Sequence, residues 1–146
     1  MRRAALLILV LVCGCSEDNG PPPSPECTAG AAEVAKALEA APRDVRLVDG
    51  TRLSDCVRRA DSDAQQQELG IVLTDVAEDL EAEAADDPRA ALRLGYLVGA
   101  ARRGAPGDSS LQFELVRRLE GSVAGELPPE SRDALAEGLA AGEARG

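Results

Sequence analysis

SDAQQQELGIVLTDVAEDLEAEAA, residues 62–85, is the stretch on which the fold turns. Leu69, Val72, Leu73, Val76 and Leu80 return at intervals of three and four, while Glu78, Asp79, Glu81 and Glu83 lie on or beside the other face. That is the period of an amphipathic helix with one side in a core. Ser62 and Gln65 fit a capping box, so the helix begins there and runs to about Ala85.

The pattern continues downstream. Asp87-Pro88 restarts it, with Leu94, Val98 and Ala101 on one row, Leu92 and Tyr96 beside it, and Gly104 as terminator. Residues 104–108 read as a loop. Leu111, Leu115, Val116 and Leu119 mark another helix ending at Gly121, and a last one spans about Pro129 to Ala141 with Leu135 and Leu139, after which the tail frays. Upstream, Ser24-Pro25-Glu26 is a helix start with a cap, a proline and an acid in order. Cys27, Ala31, Val34, Leu38 and Ala41 form its inner stripe, up to Pro42. Residues 45–53 break this period around Asp49-Gly50, a turn signal with arms too short for an isolated sheet. Ser54-Asp55 then caps a short helix bearing Cys56, Val57 and Ala60. The expected fold is all-α: a small bundle or orthogonal array of five to six short helices, with one short non-helical turn segment near 45–53 and no internal repeat.

The chain opens MRRAALLILVLVCGCS. Arg2 and Arg3 form a basic start, Ala4 to Val12 an apolar run, and Val12-Cys13-Gly14-Cys15 a small residue followed by a thiol. The run is far short of the ~20 residues a spanning helix needs. The stretch resembles the type II signal peptides of bacterial lipoproteins. The resemblance covers residues 1–16 only. It implies cleavage before Cys15 and a diacylglycerol thioether on that cysteine. The implied organisation is a signal peptide over 1–14, a polar, Pro-rich lipidated tether over 15–24, and a single α-helical domain over 25–143. The location implied is the cell membrane or outer membrane, with the protein anchored by lipid and facing the extracytoplasmic side.

Composition bounds the chemistry. Sixteen basic against 26 acidic side chains give −10, and loss of Arg2 and Arg3 leaves 14 against 26, or −12. Such a body is repelled by nucleic acid and anionic head groups, so no nucleic-acid partner is expected. There is no His and no Trp, with one Tyr and one Phe. The commonest general base and transition-metal ligand is therefore missing, as are stacking platforms for bases. No cofactor or metal is expected. Once Cys13 leaves with the signal and Cys15 takes the lipid, Cys27 and Cys56 remain as a pair in an exported chain. We expect a disulfide closing about thirty residues, worth roughly 3–4 kcal/mol. The other reading, a reactive or metal-binding thiol pair, has no CxxC and no His behind it.

The remaining patterns have architectural readings. Arg58-Arg59, Arg102-Arg103 and Arg117-Arg118 sit near predicted helix ends, where cations complement the dipole, against the rival reading of an anion site. Asp61-x-Asp63-x-Gln65 begins like a calcium loop, but Gln66 and Val72 stand where the turn glycine and the bidentate acid belong. Gly95-x-x-x-Gly99 lets another helix approach closely, or lines a groove, and marks the central helix. No nucleophile motif or phosphate loop is present, and the reading is not an enzyme. The expected function is a non-catalytic protein-binding or scaffolding module of the envelope, held to the membrane by its lipid and meeting another envelope protein. The alternatives are a small-ligand carrier or sensor, and an inhibitor or immunity-type lipoprotein using its acidic surface.

Overall fold

A computed structural model describes residues 21–105, 107, 110–123 and 125–146. Cys15, the expected signal peptide and residues 15–20 of the tether lie outside the described residues. Within them the protein is all-α, with a 3₁₀ turn Pro25–Thr28 and six helices: α1 Ala31–Leu38, α2 Leu53–Arg59, α3 Asp63–Ala84, α4 Pro88–Gly104, α5 Ser110–Gly121 and α6 Pro129–Arg145. No described residue is in a strand.

Helix α3 follows its sequence pattern closely. The Ser62 hydroxyl accepts from the Gln65 N–H at 3.4 Å, and the Gln65 side-chain oxygen accepts from the Ser62 N–H at 3.4 Å. Leu69, Leu73, Val76, Ala77 and Leu80 are buried. Asp87 caps α4 by accepting from the Arg89 N–H at 2.9 Å. Residues 94–101 of α4 are all buried, so this helix is enclosed on every side and forms the hub that α2, α3, α5 and α6 surround. Tyr96 lies wholly inside, and its hydroxyl accepts the Val45 N–H at 3.3 Å. That bond fastens the 45–53 turn to the core. Val45 and Leu47 point inward there, the Leu47 N–H donates to the Thr51 carbonyl at 2.9 Å, and the Gly50 N–H donates back to the Leu47 carbonyl at 2.8 Å, closing a turn without a strand.

Three local expectations are corrected. The first predicted helix is two pieces, because Gly30 takes φ 134°, a region other residues avoid, and resets the chain direction between the 3₁₀ turn and α1. Helix α2 begins at Leu53, before the expected cap. Ser54 is buried, and its hydroxyl donates to the Gly146 carbonyl instead of capping. The tail does not fray after Ala141: α6 continues through Arg145, and Gly146 is buried against Ala100. Leu135 and Leu139 are only half-buried, and the inner face of α6 consists of Ser131, Gly138, Ala141 and Gly142.

Helices α4 and α6 run parallel, with backbone against backbone. A Cβ at Gly95 would lie 2.9 Å from the Leu139 nitrogen, and one at Gly99 would lie 2.8 Å from the Glu143 nitrogen. In return, a Cβ at Gly138 would come 2.9 Å from the Tyr96 nitrogen, and at Gly142 2.8 Å from the Ala100 nitrogen. No side chain fits at any of the four positions. Gln112 makes a different kind of junction, from α5 to the end of α2. Its buried side-chain amide donates to the Val57 carbonyl at 3.1 Å and the Ala60 carbonyl at 3.3 Å, two acceptors left over where that helix stops.

Candidate functional site: a groove between α3 and α5

The residues singled out by the sequence are scattered through the fold. Cys27 and Cys56 are joined, with S–S 2.00 Å and Cα atoms 5.5 Å apart, and both are buried. The bond ties the 3₁₀ turn to α2. Gly95 and Gly99 lie inside the α4–α6 contact, where α6 backbone takes the space that a groove would need. Of the arginine pairs, Arg102-Arg103 ties helices together, while Arg58, Arg117 and Arg118 pair with acids of their own helices. Arg102 links three helices by reaching Glu120 at 2.7 Å and Glu143 at 3.1 Å. Arg103 donates to the Glu143 and Ala144 carbonyls, each at 2.9 Å, at the end of α6. Arg58 pairs with Asp55 one turn earlier in α2.

A concavity lies elsewhere, between α3 and α5. It is a half-open groove of about 600 Å³, within the ~300–1,000 Å³ typical of binding sites. Gly70, Ile71 and Leu115 form its apolar middle. Gly70 keeps the floor low: the nearest atom to a Cβ there would be a Leu115 methyl carbon at 3.9 Å. Ile71 is turned outward from the core stripe of α3 and is 56% exposed. Gln66, Gln67 and Thr74 add amide and hydroxyl groups along the α3 wall.

Charge is distributed unevenly along the groove. Asp63 opens α3, and Asp75 lies twelve residues further on, about 18 Å at 1.5 Å per residue. The two carboxylates therefore flank the apolar middle at opposite ends. Among the described residues neither has a cationic side chain within 4.0 Å. Glu114 on α5 is differently placed. Hydrogen bonds from Arg117 at 2.9 Å and from Arg118 at 3.2 Å hold its pKa down at about 2. Glu114 is thus shared by Arg117 and Arg118, which leaves one surplus positive charge on the α5 wall, and the acids left to face an occupant of the groove are the two aspartates of α3.

One polar atom in the wall is incomplete. The Gln66 amide nitrogen donates to the Ala60 carbonyl at 2.9 Å, whereas its Oε1 is shielded from water and has no donor among the described residues. A smaller cavity of about 160 Å³ lies beside the disulfide, bordered by Pro23, Ser24, Cys27 and Leu69.

Sequence reasoning misses the α3–α5 groove. Its one available signal is Ile71, a large apolar residue off the Leu69–Leu80 stripe and next to a helical glycine. The chain matches no family model, and neither the curated proteins nor the solved structures contain a match to it.

Proposed function

We propose that this protein is a lipid-anchored, non-catalytic binding module on the extracytoplasmic side of a bacterial membrane, and that the α3–α5 groove is where it receives another envelope protein. The groove is the observation that carries the binding role. It joins an exposed apolar floor to unneutralised polar rims, and a surface that only has to remain soluble needs no such recess. The placement at the membrane is supported by the arrangement of Arg2, Arg3, the apolar run 4–12 and Cys15, followed by a polar, Pro-rich tether.

Intact-mass measurement of the full chain recovered from native membranes tests the anchor. The expected species begins at Cys15, carries an added diacylglycerol-sized mass, and is lost in Cys15→Ala. An unmodified or uncleaved chain would overturn the placement.

The acidic groove ends also favour the inhibitor-type variant of this reading, in which the partner is a basic protein. Salt-sensitive association would be its signature.

A further inference from the structure

We infer that the α3–α5 groove takes a short extended segment of a basic partner, apolar at its centre and cationic at both ends. This rests on the binding-module reading and names the chemistry of the occupant. Asp63 and Asp75 set the length, because their ~18 Å separation corresponds to five or six residues of extended chain at ~3.3 Å each. Ile71 and Leu115 between them select an apolar side chain at the middle of that segment.

Charge removes the competing occupants. A second copy of a chain carrying −10 would bring like charge to both rims. Anionic lipids and nucleotides would meet a carboxylate at each end, a net excess of acid over the single surplus guanidinium charge beside Glu114. A cationic segment gains at both ends and is steered toward the site before contact. Gly70 completes the recognition by leaving room for the central side chain to descend.

The test uses the full chain in detergent and a fluorescent seven-residue peptide with lysine at each end and leucine at its centre. Saturable, salt-sensitive binding is expected. Asp63→Asn and Asp75→Asn should each weaken it roughly twofold to fivefold, the range for exposed ion pairs. Gly70→Leu, which fills the floor, should abolish it with the helical spectrum retained. A peptide with glutamate at both ends, and one with serine at its centre, should not bind. No binding of the lysine peptide, equal binding of the glutamate peptide, or indifference to both Asp75→Asn and Gly70→Leu would overturn the inference. Photocrosslinking from position 71 in cells separates this result from the broader reading. Capture of a partner through a segment without basic residues would sink the cationic occupant and leave the binding module standing.

Discussion

Gly138 is the residue with the least room to change. A Cβ there would press directly on the Leu92 carbonyl and come within 2.8 Å of the Leu92 carbonyl carbon. The obstacle is main chain in the middle of a helix, and it cannot rotate aside as a side chain would. Gly138→Ala should therefore force α4 and α6 apart and lower stability by about 1–3 kcal/mol, the usual cost of overpacking, in a urea titration followed by circular dichroism. Two other glycines calibrate the result. Gly125 has nothing within 4 Å of its would-be Cβ, and Gly70 has only an ordinary contact. Gly70→Ala should raise stability by up to ~1 kcal/mol, because alanine is the better helix former. Equal losses at positions 70 and 138 would show that the close approach is not what holds the pair.

Among the elements, those with their own end signals are legible in the sequence. Helix α3 announces itself by the Ser62–Gln65 box and an unbroken stripe, and α4 by Asp87-Pro88 and Gly104. Gly95 and Gly99 lie on α4 where the α6 backbone comes closest. The partner surface on α6 carries the same spacing, Gly138-x-x-x-Gly142, which a reading by hydrophobic periodicity passes over because the contact has no apolar stripe. Periodicity points instead to Leu135 and Leu139, which are only half-buried. The break at Gly30 is hidden inside a good helical stripe, since Cys27 and Val34 both face inward on either side of it. The groove is hidden for another reason: it belongs to no single helix. Its walls come from residues 63–75 and 114–118, and its floor depends on a contact between them. The disulfide is legible once Cys13 and Cys15 are set aside as part of the lipoprotein-like start, and its energetic weight falls on short elements: a four-residue turn and a seven-residue helix that it joins across 29 positions. Replacing both Cys27 and Cys56 by alanine should cost about 3–4 kcal/mol through the freed unfolded chain. A denaturation midpoint unchanged from that of the oxidised protein would contradict this.

For the whole molecule, the excess of acid makes pH the natural lever. Glu114 is held at about 2 by Arg117 and Arg118, Asp44 is held low chiefly by its hydrogen bond from Arg46, and Asp49 chiefly by the Ser24 hydroxyl. A carboxylate with a lower pKa folded than unfolded contributes stability above its unfolded value and loses it as pH falls through the folded one. The unfolding midpoint should thus decline in acid, between roughly pH 5 and pH 2. Relief of the net −10 acts in the opposite direction over the same range, so the informative comparison is with Glu114→Gln. That variant should lose part of the decline while matching the parent's shape elsewhere, and an identical pH profile would count against the assignment. A different consequence follows from the parallel seating of α6 on α4. Arg103 meets Ala144 across 41 positions of chain, and the peptide groups beside Gly95 and Gly99 stay uncovered until that stretch has been made. The hub is thus completed only by residues that leave the ribosome well after it does. Because its decisive contact spans some 41 positions, the hub closes only after the local turns of both helices can form.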